Sequence, residues 1–212
     1  MYASPSSITQ PSQLLNGQAA QSAELAALLD LCFGADRQRK TSYKLRDGQA
    51  QIEDLWFTVQ KGGKLVASIQ YWPIAIRSAY KETQALLLGP LAVHPDVQGE
   101  GLGRALLDTS ISVASLKGHV HILLVGDPAY YGRRGFSSKN TSGLSLPGPY
   151  DPKRLLHRQI APGPMLPFSG LLSPAFPVPG EGKKAEQQQK GEPGWYQLDL
   201  NYAQNTPGVV AL

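Results

Sequence analysis

The stretch His94–Asp108, HPDVQGEGLGRALLD, places Gly99, Gly101 and Gly103 at every second position and then passes directly into a helical pattern. Glycine costs backbone entropy in any regular element, so three of them at a helix start ask for a reason. The first amides of a helix have no intrahelical acceptor, and the helix dipole is positive there. Clearing side chains from that place lets a phosphate or pyrophosphate sit directly on the amides. The spacing then separates the known devices. A P-loop needs Lys followed by Ser or Thr after its last glycine, and no such pair follows. A dinucleotide fingerprint, G-x-G-x-x-G, needs glycine at 104 or 106, where Arg104 and Leu106 stand. What remains is [Q/R]-x-x-G-x-[G/A], spelled Gln98-Gly99-Glu100-Gly101-Leu102-Gly103.

The elements around the loop follow from periodicity. Leu25, Leu28, Leu29 and Cys32 recur at helical spacing, with Ser22 as N-cap, Glu24 in the first turn and Gly34 past the end. Cys32 lies on that apolar stripe and is expected in the core. LWFTVQ (55–60) and LVASIQYWPIAIR (65–77) flank Lys61-Gly62-Gly63-Lys64 and read as a hairpin. ALLLGPLAV (85–93) is nearly continuous in apolar residues, as a strand covered on both faces is. Its Gly89-Pro90 pair predicts a bulge, because proline cannot donate to a ladder. A helix is expected over 102–117, with Leu102, Ala105, Leu106, Thr109, Val113 and Leu116 on its buried face. HVHILLVG (119–126) is the next strand. DPAYYGRRGF (127–136) offers a short helix that stops at Gly135, with Asp127 able to cap it. LLHRQIA (155–161) is a candidate last strand, and 162–180 reads as irregular. Residues 1–21 hold at most a short first strand.

Composition narrows the class. The chain has 212 residues, 42% hydrophobic, with a net charge of +4. The 20 Lys and Arg residues are scattered. Short groups such as Arg37-Gln38-Arg39-Lys40 and Arg133-Arg134 read as solvated surface, and no nucleic-acid partner is expected. Cys32 is the single cysteine, so neither an internal disulfide nor a cysteine-rich metal centre is expected. The opening MYASPSSITQPSQLL has no positive n-region and no long apolar run, so no signal peptide is expected. No stretch approaches the roughly 20 apolar residues of a membrane span. A cytoplasmic protein without membrane contact is the expectation.

Together, GPLAV, HPDVQGEGLG with its helix, ILLVGD and AYYGRRGF closely resemble the GNAT superfamily of N-acetyltransferases. Tyr131, Gly135 and Phe136 fit its Tyr-x-x-x-Gly-Phe motif. The resemblance covers about residues 8–160. It implies an α/β (α+β) fold with a mixed, mostly antiparallel sheet of about six to seven strands. Helices would cover both faces, and the sheet would splay between the fourth and fifth strands. The implied domain is 1–180, followed by a low-complexity tail, 181–212, expected to be flexible.

The resemblance also implies acetyl-CoA as cofactor and a primary amine, on a small molecule or peptide, as acceptor. Leu91, Ala92 and Val93 would bond the pantetheine arm through their backbone, and an N–H near Val93 would polarise the thioester carbonyl. Gln98, Gly99, Glu100, Gly101, Leu102 and Gly103 would cradle the pyrophosphate, with Arg104 adding charge. Asp127, where the family often has Asn, would contact the arm or cap the short helix. Tyr131 would be the general acid, since a phenol of ordinary pKa near 10 stays protonated at neutral pH; Tyr130 is one position off the family spacing. Arg133 and Arg134 are surface charge or contacts to the 3′-phosphate of CoA. His94, His119, His121 and Glu82 are candidate bases, none of them singled out by spacing, and a water relay or an already neutral amine would serve instead. Tyr71, Trp72 and Tyr80 are candidates to line the acceptor pocket, with core packing the stronger expectation for Trp72. A non-catalytic acyl-CoA-binding or partner-binding module with this fold is the alternative. A homodimer is compatible with the sequence.

Overall fold

Gly62 and Gly63 both take positive φ, 60° and 73°, which is what a two-residue hairpin turn matched to strand twist demands. They join β2 (Phe57–Lys61) to β3 (Lys64–Arg77), and the expected hairpin forms. The structure is a computed structural model that describes the strand Gln13–Asn16 and residues 22–175. The Ser22 side chain and the tail 181–212 lie outside the described residues. The remaining elements are β1 (Gln13–Asn16), α1 (Ser22–Phe33), α2 (Thr41–Lys44), β4 (Glu82–Val93), α3 (Leu102–Leu116), β5 (His121–Val125), α4 (Pro128–Gly132), β6 (Leu144–Ser145), β7 (Leu155–Gln159) and β8 (Gly170–Pro174).

The main path of the sheet runs β1-β2-β3-β4-β5-β7, and β8 and the two-residue β6 attach to it through β3. Pairing is antiparallel except for β4 with β5 and β6 with β8. The β4–β5 ladder holds only at Leu86 with Ile122 and Leu87 with Leu123. Beyond Leu87 the two strands part, and the splay between fourth and fifth strands is present. On its other side β4 continues along β3, with Gly89 and Pro90 together opposite Gln70, because the register steps from Tyr71–Leu88 to Ile69–Leu91. The bulge expected from Gly-Pro is there.

Helices lie on both faces. Leu106, Leu107 and Ala114 of α3 pack with Ile69, Tyr71 and Ile122. Leu25, Leu28 and Leu29 of α1 pack with Leu65 and Ala92 from the opposite side. Each such leucine contributes about 1.5–3 kcal/mol on burial. Gly34, at φ 87°, closes α1 with its amide on the Asp30 carbonyl at 2.9 Å, as a left-handed helix terminus does.

Two expectations are corrected. The buried stripe of α3 is Leu102, Gly103, Leu106, Leu107, Ser110, Ile111 and Ala114. Leu116 is exposed, and Ala105, Thr109 and Val113 are only half-buried. The helix is rotated so that Leu107, Ile111 and Ala114 face the core, and Ser110 beside them bonds the fully buried Tyr71 hydroxyl at 2.9 Å. Next, the Pro/Gly-rich stretch read as irregular contains β8, which pairs Leu171–Pro174 with Ile74–Arg77. β2 ends before it reaches that half of β3, and the edge it leaves is covered by a strand almost a hundred residues later.

Candidate active site

The loop that leads into α3 leaves its amides open. Gly99 and Gly101 stand at φ 88° and 84°, a region that costs other L-residues roughly 1–2 kcal/mol. A Cβ on Gly99 would meet nothing within 4 Å, and one on Gly101 would meet only the tip of Arg104, at 3.6 Å. Gly103 is required for a different reason. A Cβ there would stand 2.9 Å from the Tyr130 hydroxyl and 3.2 Å from Val93 Cγ2, so glycine lets the first turn of α3 lie against the end of β4. The first helical bond runs from Ala105 N–H to the Gly101 carbonyl at 2.9 Å. The amides of Leu102, Gly103 and Arg104 therefore have no helical acceptor, and the loop before them is open around Gly99 and Gly101. Glu100 directs its carboxylate away, to Lys61 Nζ at 2.9 Å.

β4 supplies the second part. His94 N–H donates to the Val66 carbonyl at 2.8 Å. By the alternation of an antiparallel ladder, the backbone groups of Leu91 and Val93 then point away from β3, toward the side on which β5 has parted. The Val93 carbonyl accepts from Gln98 Nε2 at 3.1 Å and from Cys32 Sγ at 3.4 Å. The Gln98 side chain thus ties the loop to the strand. Cys32 is half-buried against the α1 cluster, as expected of an apolar-face residue, and burial pushes its thiol pKa up. Leu91 lines the cleft. Ala92 turns to the other face and packs under α1.

The cleft between the parted strands has a volume of 570 Å³. Leu88, Gly89, Pro90 and Leu91 form one wall, and Gly126, Asp127 and Tyr131 form the other. Tyr131 sits edge-on between Tyr130 and Phe136, with ring centroids 4.9 and 5.9 Å away. Its hydroxyl makes no hydrogen bond to a described residue, and burial pushes its pKa well above the tyrosine norm. Asp127 caps α4, its Oδ1 accepting from Ala129 N–H at 3.0 Å, with Pro128 at the first helical position. It is the one residue shared with a neighbouring hollow of 390 Å³, where Arg104, Arg133 and Arg134 gather. Arg134 also pairs with Asp108 at 2.7 Å.

The candidate bases are not in the cleft. His94 Nδ1 accepts from Asp96 N–H at 3.3 Å and caps a single turn. His121 is buried, with Nδ1 3.1 Å from His157 Nε2. Burial lowers both pKa values, that of His157 to about 4, with the neighbouring ring as its second cause. His119 precedes β5, and burial lowers its pKa as well. Glu82 pairs with Arg77 at the hairpin end of β4. Among the acceptor-pocket candidates, Tyr71 is in the core and Tyr80 is exposed at a turn, so neither lines the cleft. Trp72 is half-buried, and its Nε1 donates to the Gly89 carbonyl at 3.0 Å, bracing the bulge. Among the described residues no group of three or more His, Cys, Asp or Glu is placed to hold a metal, and no helix is long and apolar enough to cross a membrane.

A sequence profile of the acetyltransferase (GNAT) family matches residues 22–136. The chain belongs to that family. The match runs from α1 through Phe136, so it takes in the loop, the bulged strand and Tyr131, and it stops before β7 and β8. The chain is 28% identical over 110 residues to the uncharacterized N-acetyltransferase YhbS of Escherichia coli K12, covering 52% of this chain and 64% of that protein. It is 27% identical over 118 residues to the uncharacterized N-acetyltransferase YjhQ of the same organism, 56% and 65% of the two chains. Both matches fall just short of two thirds of the relative's length. The fold is shared with the crystal structure of E. coli YhbS in complex with CoA, at a TM-score of 0.61 and 20% identity over 82% of this chain and 94% of that one. It is also shared with a GNAT acetyltransferase from Brucella melitensis in complex with acetyl-CoA, at a TM-score of 0.56 and 20% identity over 77% and 96%.

In this GNAT fold Leu91, Asp127 and Tyr131 line one cleft, and Arg104 lines the neighbouring hollow that shares Asp127 with it. The fold also brings in residues that sequence patterns did not single out. Arg37 was expected at the surface but is buried, donating to Asp30 Oδ1 at 2.7 Å and to the Tyr43 hydroxyl at 3.0 Å. Tyr43 and Arg46 line the same cleft as Tyr131. No motif marks them, and the stretch from α1 to β2 has no periodicity that would have found them.

Proposed function

We propose that this GNAT chain transfers an acetyl group from acetyl-CoA to a primary amine by direct attack of the amine on the thioester. The observation that carries this is the join between two features: amides without acceptors at the start of α3, and cleft-facing backbone groups on β4 where β5 has parted from it. The two structural neighbours hold CoA and acetyl-CoA, and family members use that cofactor. The residues fit the group. A diphosphate suits the clear space over Gly99 and Gly101, with Arg104 beside it, and the arm suits the backbone of Leu91 and the Val93 N–H, the Val93 carbonyl being taken by Gln98 and Cys32. When bound, acetyl-CoA supplies an acetyl thioester and a thiolate leaving group.

The chain's own residues then have separable tasks. The open amides of the loop hold the anionic end, and the edge of β4 orients the arm as an added strand. An N–H near Val93 aimed at the acetyl oxygen favours the charge that develops there. The Tyr131 hydroxyl, kept protonated by its burial, hands its proton to the departing sulfur. None of His94, His119, His121 or Glu82 lines the cleft, so the acceptor amine enters neutral or loses its proton through water.

Calorimetric titration with CoA, followed by thiol release from acetyl-CoA over an amine panel, tests this. Binding with turnover is expected; no binding overturns it. The four candidate bases all lie outside the cleft, and its two carboxylates, Asp127 and Asp151, each cap a turn; this favours one second reading, a CoA-binding module without catalysis. That reading predicts binding, no turnover with any amine, and no kinetic consequence of Tyr131→Phe.

A further inference from the structure

We infer that the acceptor amine also carries an acidic group, a carboxylate or a phosphate, and that Arg46 binds it in the cleft beside the Gly89 bulge; this rests on the acetyl-transfer reading above. The Arg46 guanidinium lies 4.0 Å from the Tyr43 ring centroid and 5.5 Å from that of Trp72. Its Nη2 is 3.9 Å from where a Cβ on Gly89 would be, which places it beside the bulge. Its Nε is buried with no hydrogen-bond partner among the described residues. No carboxylate among them pairs with it, whereas Arg37, on the same Tyr43 ring, has Asp30.

A guanidinium does not shed its proton to escape burial. Burial acts against the charge and Arg37 adds repulsion, while the Tyr43 hydroxyl offers partial relief. Arg46 is half-buried and its Nε is fully enclosed; a charge so placed without a counter-ion is costly, so the arrangement is complete only when an anion arrives. The cleft has none of its own to give. Its two carboxylates, Asp127 and Asp151, each cap a turn at 3.0 Å, while Arg39, Lys40 and Arg154 add positive charge to the wall. The cofactor's diphosphate is not the missing partner in this reading, because Arg104, beside the loop, lines the other hollow with Arg133 and Arg134, and Arg46 does not. A planar fork held between aromatic rings suits bidentate contact with a carboxylate or phosphate.

Matched acceptors test this: an ω-amino acid against its carboxamide, and phosphoethanolamine against ethanolamine. The first pair reports a carboxylate and the second a phosphate. Thiol release gives kcat/KM for each, and calorimetry gives CoA affinity. The expected result is a preference of about 10-fold or more for one charged member, the scale of a hydrogen bond to a charged group. Arg46→Gln should collapse that ratio toward one, and Arg46→Lys should recover part of it. Equal or better use of the neutral members by wild-type protein overturns the inference, and needs no variant. So does a ratio unchanged in folded Arg46→Gln, or a protein that acetylates the neutral amines but neither acid. Failure to acetylate any amine, or to bind CoA, would instead remove the acetyl-transfer reading itself.

Discussion

Gly126 lies directly beneath the Tyr131 ring: a Cβ at 126 would overlap it, 2.8 Å from Cδ2 and closer still to Cε2. Gly126 ends the cleft wall that begins with β5, and its amide is held by the Arg154 carbonyl at 2.9 Å, so the backbone has little freedom to withdraw. Gly126→Ala should therefore displace the tyrosine. We expect kcat to fall at least about 10-fold and stability to drop by about 1–3 kcal/mol, the usual cost of overpacking. Thiol-release kinetics and thermal melts check both, and an unchanged kcat would dissociate the ring position from turnover.

Tyr131→Phe keeps the ring and removes the proton donor. A general acid is worth about 10²–10⁴-fold, so kcat should fall within that range while CoA affinity stays within a few-fold. Because burial raises the phenol pKa, the wild-type rate should show no loss from this group until pH exceeds the ordinary tyrosine value near 10. An alkaline fall centred below pH 9 that disappears in Tyr131→Phe would contradict this assignment.

The loop glycines can be separated from backbone strain. Gly101→Ala and Gly62→Ala both force alanine into positive φ, at 84° and 60°, with no atom nearer than 3.6 Å to the new methyl. Each should cost about 1–2 kcal/mol of stability. Only Gly101→Ala should also weaken CoA, by about 10-fold or more in calorimetry, since only there does the methyl enter the proposed diphosphate site. Equal CoA affinities for the two variants would refute the loop assignment.

The buried His121–His157 pair makes folding sensitive to acid. Both groups titrate below the usual histidine range when folded, His157 at about 4. Between about pH 6.5 and 4 the unfolded chain binds more protons than the folded one, so stability is full above 6.5 and falls as the pH drops through that window. The contribution from His157 is at most about 3 kcal/mol. Thermal melts from pH 8 to 4 should show the decline, and His157→Gln should flatten it.

Cys32 should react slowly with thiol reagents at pH 7–8, because the raised pKa leaves little thiolate and the Sγ–H is engaged by the Val93 carbonyl. Fast labelling of the CoA-free protein would contradict the contact.

The residues legible in the sequence are those whose chemistry is local. Gly99 and Gly101 announce positive φ beside a helix start, Gly89-Pro90 announces a bulge, and Asp127-Pro128 announces a cap. Each is a constraint on a few adjacent dihedrals or amides, so the order of types along the chain is enough to show it. The parts that the fold alone decided join residues far apart in the chain. Leu116 and Ser110 both suit an α3 face, and core packing of Leu107, Ile111 and Ala114 turned Ser110, not Leu116, inward beside the buried Tyr71 hydroxyl on β3. β8 has no strand periodicity because its pairing is supplied by the free edge of β3. Arg46 carries no signal in the sequence and is defined by the Tyr43 and Trp72 rings and the bulge of β4 around it, since desolvation depends on what surrounds a side chain in space rather than on its neighbours in sequence.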